Sequence, residues 1–131
     1  MPDALRHYWT MWNEPDLGRL RSHLEQSVTA DIVWADPLHF HTGIDALEAN
    51  ARELKSNKPE YYFVIASELD EHHGRFRYQW HMKRKHRVLM RGLDIATLNA
   101  DGLIERVDGF FGSLADVAGS DSGVPAELRA E

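Results

Sequence analysis

The chain has 131 residues, a formal net charge of −6 and no cysteine. A chain of this size fits one domain and buries about two thirds of its extended surface, enough for a real core and a cavity. Without cysteine there is no disulfide, thiol nucleophile, zinc-thiolate site or iron–sulfur cluster, and the acidic balance argues against nucleic acid as partner, because phosphate binding rests on Lys and Arg. No leading basic-then-apolar segment and no run of ~18 apolar residues is present, so the expectation is a cytoplasmic protein that neither crosses nor binds a membrane.

In chain order, Leu5, Tyr8, Trp9 and Trp12 recur at helical spacing between Asp3 and Asn13, and Asn13-Glu-Pro-Asp16 interrupts them. Asp16 is placed to cap a second helix whose stripe is Leu17, Leu20 and Leu24. A short strand is predicted over Ala30 to Asp36, ended by Pro37, and Leu38 to Thr42 reads as either a second short strand or a loop. From Gly43, the residues Ile44, Leu47, Ala51 and Leu54 form one helical face, with acids early and lysines late as the helix dipole favours.

Beyond Pro59 the pattern becomes that of strands: Tyr61 to Leu69, Arg75 to Lys83, Arg87 to Leu98 and Leu103 to Gly112. The connections between them are short, which implies an antiparallel meander, and Gly102 suits a hairpin position of positive φ. The last segment, 115–131, is small and polar and reads as a flexible tail after a single domain over 1–114. Helices followed by an antiparallel sheet make an α+β domain with the helices on one sheet face. The other face, with apolar Leu93 and Ile95, is expected to pair with a second copy as a homodimer.

The candidate chemistry is acidic. Asp36 and Asp94 fall on two different strands of an otherwise apolar sheet, and Tyr8 lies on the helix that covers it. A carboxylate withdrawn from water either finds partners or keeps its proton, and either state can move protons or orient a ligand. Asp36 has the competing role of bonding the amides of the turn at Pro37. Asp94 alternates with Leu93 and Ile95 and sits between Gly92 and Ala96, residues too small to fill the space beside it. On the strand from Arg75, the helices should take the apolar set Phe76, Tyr78, Trp80 and Met82, leaving Arg77, Gln79 and His81 outside. The pocket is expected to be lined by Trp9, Trp12, Trp34, Phe40, Phe63, Tyr78, Trp80 and Phe111, with His39 or His41 at its mouth. His39 and His41 share one strand face, but no third ligand stands at a recognisable interval, so no metal is expected. The run from Lys83 to Arg87 reads as a solvated hairpin tip.

Ala30-Asp-Ile-Val-Trp-Ala-Asp36-Pro37 leading to Gly43-Ile-Asp-Ala-Leu47, and Gly92-Leu-Asp94 leading to Asp101-Gly-Leu-Ile104, resemble the nuclear transport factor 2-like superfamily, which includes SnoaL-like polyketide cyclases and ketosteroid isomerases. The resemblance implies a curved antiparallel sheet forming a cone with three helices on its concave face, a cystatin-like architecture around a deep pocket. Fold alone names no reaction. The isomerase pattern implies Asp36 as proton-shuttling base, Asp94 as a protonated hydrogen-bond donor and Tyr8 as oxyanion donor. The logic of an acid held neutral by an apolar site is the established case of ketosteroid isomerase itself. The implied activity is a cofactor-free isomerase, cyclase or dehydratase acting on a small hydrophobic carbonyl compound. The reading from another class is a binding or protein-assembly module of the same fold.

Overall fold

The structure, a computed structural model, describes residues 1–114. The expected flexible tail at 115–131 lies outside the described residues. Three α-helices, α1 (Asp3–Trp12), α2 (Leu20–Glu25) and α3 (Ile44–Asn57), accompany seven strands: β1 (Val28–Asp36), β2 (His39–Thr42), β3 (Tyr62–Ile65), β4 (Asp70–His72), β5 (Arg75–Arg84), β6 (Arg87–Leu98) and β7 (Ile104–Phe111). Asp16 caps as the sequence suggests, its carboxylate accepting from the Gly18 N–H at 2.9 Å, but the turn it caps is a 3-10 segment, Leu17–Arg19, that leads into α2. The segment after Pro37 resolves as a strand, and Gly43, at φ +97°, turns the chain from it into α3. A residue with a Cβ is strained in that conformation.

The sheet order is β2-β1-β7-β6-β5-β3, with β4 also pairing β5. The predicted strand from Tyr61 to Leu69 is shorter in the structure, where only Tyr62–Ile65 forms β3, paired with Trp80 to Lys83. The segment from Asp70, which reads as a plain turn in the sequence, instead supplies β4, paired with Arg75 to Arg77. The meander β5-β6-β7 is antiparallel as expected. The sheet as a whole is mixed rather than antiparallel, because β1 runs parallel to β7, with a register shift between Val28 and Val33. That pairing brings an early strand and the last strand side by side, which local pattern does not encode.

Alternation sorts the two faces. Tyr78 and Trp80 of β5, Asp94 and Ala96 of β6, and Val107 of β7 turn inward and are buried with Leu5, Tyr8, Met11, Leu20, Leu24 and Leu47 of the helices. The apolar set of β5 is thus the helix-facing one. The opposite sheet face mixes exposed ion pairs, Arg77 with Asp70 and Arg106 with Asp108, with apolar Ile95 and the Leu93–Phe110 pair, of which Phe110 is exposed. Among the described residues no helix is long and apolar enough to cross a membrane.

Candidate active site

Between the helices and the inner sheet face lies a cavity of about 420 Å³ whose wall includes Tyr8, Asp36 and Asp94. This is within the range of small-molecule sites. All four tryptophans line it, Trp9 and Trp12 from α1, Trp34 from β1 and Trp80 from β5, together with Phe63 and Phe111. Their rings form a continuous wall, with Trp12 and Trp34 centroids 5.8 Å apart, Trp9 and Phe63 5.9 Å, and Trp80 and Phe111 6.0 Å.

The two acids reach the cavity through strand register. Asp94 pairs with Gly109 across β6 and β7, and Ala35 pairs with Asp108 across β1 and β7, so Asp36, Gly109 and Asp94 lie side by side on three adjacent strands. A Cβ at Gly109 would stand 2.8 Å from Asp94 Oδ1 and 3.5 Å from Asp36 Cβ. The absence of a side chain there leaves the two acids facing one common space.

Their surroundings differ. Asp36 ends β1, and its Oδ1 accepts the backbone N–H of Leu38 at 2.8 Å and of His39 at 2.9 Å, with His39 Nδ1 at 3.0 Å. Two backbone donors thus converge on Oδ1, while Oδ2 has only the His39 nitrogen at 3.3 Å among the described residues. The turn-bonding role and the pocket position therefore coexist in one side chain. Asp94 is only 5% exposed. Burial pushes its carboxyl up to about 7, against the pull of two donors, Trp80 Nε1–H on Oδ1 at 2.9 Å and the Tyr78 hydroxyl on Oδ2 at 3.3 Å, while the nearby Asp36 charge pushes the same way as burial. Gly92 makes the first of these bonds possible. It pairs with Trp80, and a Cβ there would fall 2.1 Å from the indole ring, which lies across the β6 backbone.

The Tyr8 hydroxyl accepts the Trp34 indole N–H at 2.8 Å, and among the described residues no acceptor takes its proton. Burial, and next the nearness of Asp94, push this phenol well above its ordinary value, so it stays protonated and available as a donor.

The structure corrects two of the expected wall residues. Phe40 is 69% exposed and outside the cavity, because on β2 it points opposite to His39 and His41. Those two histidines face inward, His39 onto the cavity and His41 stacked on Trp34 at 5.8 Å. Tyr78 does not line the cavity either. It lies behind Trp9, accepts its indole N–H at 2.9 Å and reaches Asp94 from the back. Lining residues missed in the sequence are Asn50, Glu53 and Asn57 of α3, the cross-strand pair Met82 and Met90, Lys58, Tyr61 and Gly109. The α3 set follows an i, i+3, i+7 stripe beside Leu54, a signal available to helical periodicity but masked by its polarity. Among the described residues, no three His, Asp or Glu side chains cluster so as to hold a metal ion.

Comparison with known proteins agrees with this architecture. A SnoaL-like family protein from Agrobacterium tumefaciens strain C58, named as a proposed isomerase, superposes with a TM-score of 0.78 at 28% identity over 84% of this chain and 95% of its own. An NTF2-like protein of unknown function from Exiguobacterium sp. 255-15 gives 0.69 at 20% identity, covering 85% of this chain and 99% of its own. A proposed polyketide cyclase from Sinorhizobium meliloti gives 0.67 at 17% identity, covering 83% and 94%. No curated protein matches the chain. The model of the SnoaL-like domain matches residues 5–107, and the chain belongs to that family.

Proposed function

We propose that this chain is a cofactor-free acid–base enzyme that moves a proton on a small, largely apolar carbonyl compound, giving isomerisation, cyclisation or dehydration. The observation that carries the reading is that Asp36, Asp94 and Tyr8 open on one aromatic-walled cavity, Asp36 among backbone N–H donors and Asp94 buried with its carboxyl pushed up toward the neutral form. Asp36 Oδ2 takes the proton α to the carbonyl. The C–H electrons pass to the carbonyl oxygen, and the enolate oxygen is held by the Tyr8 hydroxyl and by neutral Asp94. The proton on Asp36 then returns at another carbon, or the enolate attacks an internal electrophile or expels a β-substituent. The names of the A. tumefaciens and S. meliloti proteins, an isomerase and a polyketide cyclase, support this class without indicating a substrate.

The test is deuterium exchange at the α-carbon of a panel of cyclic and aryl ketones in D₂O, followed by NMR. The native chain exchanges and Asp36→Asn does not. Equal rates for the two discard the mechanism, and ketones that bind without exchanging leave a binding module.

A further inference from the structure

The basic run from Lys83 to Arg87 is not absorbed by the chemistry above. Its register gives it a second meaning. Met82 pairs with Met90 on the cavity wall, Lys83 with Val88, and Arg84 with Arg87, with a bulge between the first two pairs. Alternation along these pairs puts Arg84 and Arg87 on the same sheet face as Met82 and Met90. The tight turn between them, with Lys85 at φ +49° and His86 at φ +66°, makes the two arginines directly opposed cross-strand partners. Like charges so opposed destabilise a hairpin. Arg84 has only a distant acid, Glu60 at 3.9 Å, and Arg87 has no carboxylate in ion-pair range among the described residues. Two further observations tie this pair to the cavity. Tyr62 pairs with Lys83, which brings the adjoining cavity residue Tyr61 beside Arg84, and Lys58, which lines the cavity, holds its ammonium 5.8 Å from the Tyr61 ring centre.

We infer that Arg84, Arg87 and Lys58 form a rim that binds the anionic end of an amphiphilic ligand, a carboxylate or a phosphate, whose apolar body occupies the aromatic cavity. An anion there relieves the opposed arginines, and arginine offers paired donors to either group. The span is suitable. Four residues of strand separate Trp80 from Arg84, ~13 Å at ~3.3 Å per residue, which matches an extended ten-carbon chain. The inference rests on the proposed use of the cavity for a small apolar substrate and narrows that substrate to one bearing a negative charge remote from its carbonyl.

The experiment is binding rather than turnover, so its failure is separable from failure of the proton-transfer mechanism. Decanoate, decyl phosphate and methyl decanoate are titrated while the fluorescence of the cavity tryptophans is followed. One or both anions should bind about fivefold or more tighter than the neutral ester, since exposed ion pairs are individually modest. Which anion leads distinguishes a carboxylate from a phosphate ligand. The preference should shrink toward unity in 1 M salt, where screening acts within ~3 Å. The double variant R84Q/R87Q should lose it with ester affinity unchanged, and K85N, which removes a neighbouring charge without touching the pair, should keep most of it. Equal binding of anions and ester by the native chain, a preference insensitive to salt, or a loss in K85N equal to that in R84Q/R87Q would overturn the inference.

Discussion

Asp36 and Asp94 stand on either side of the same glycine and face the same space, yet one is placed among donors at a strand end and the other is sunk in the sheet. Asp36 has backbone amides and a histidine around Oδ1, whereas Asp94 has an indole and a phenol set against strong burial. Identical side chains thus acquire different surroundings from position alone. A strand end supplies free N–H groups to hold a charge, and a strand centre has already spent its amides on the ladder. In the proposed mechanism the two copies of one residue serve as acid and base, the pattern by which pairs of titratable groups take separate roles.

The comparison breaks most sharply at Asp36. Asp36→Asn removes the proton acceptor and should lower α-proton exchange by about 10²–10⁴-fold, read by the NMR assay with substrate binding retained. Gly109→Ala drives a methyl between the acids, 2.8 Å from Asp94 Oδ1. It should destabilise the fold by about 1–3 kcal/mol, as overpacking does, measured by urea unfolding, and should lower exchange as well.

Asp94→Asn sharpens the other side of the contrast through stability. The sign follows from the raised carboxyl. Its contribution to folding is complete below the ordinary aspartate value near ~4 and is lost as the pH rises through about 7. At about 1.4 kcal/mol per unit the loss is on the order of 4 kcal/mol. The native chain should therefore weaken relative to Asp94→Asn between pH 4 and pH 8, with the two differing least in acid; urea midpoints across that range check it. The smallest effect concerns the third member. Trp34→Phe deprives the Tyr8 oxygen of its N–H donor and should slow exchange by a few-fold, with folding stability down by about 1 kcal/mol.

Much of this arrangement was legible in the chain. The α3 stripe of Ile44, Leu47 and Ala51, the alternation of β5 and the span of β6 are local patterns, and local patterns set these elements. Asp94 was identifiable because Gly92 and Ala96 flank it with empty space, although the reason for Gly92, the Trp80 ring lying over it, needs the cross-strand partner. Phe40 points outward, and a four-residue strand carries too little alternation to show that direction in the sequence. Alternation puts Tyr78 on the right face but cannot place it in the layer behind Trp9, since it gives direction and not depth. The parallel contact of β1 with β7, which seats Asp36 beside Gly109, joins segments about seventy residues apart and leaves no mark on either. The site is thus readable as a set of residues and not as a geometry.

The most direct test of the account is the titration of the aspartate side-chain carboxyl carbons by NMR, with Asp94→Asn used to assign the signal. The account predicts one resonance with a midpoint at about 7 that disappears in the variant. A midpoint for Asp94 near ~4, the ordinary value for aspartate, would mean that Asp94 is charged at neutral pH and no proton donor, and the proposed division of labour would be contradicted.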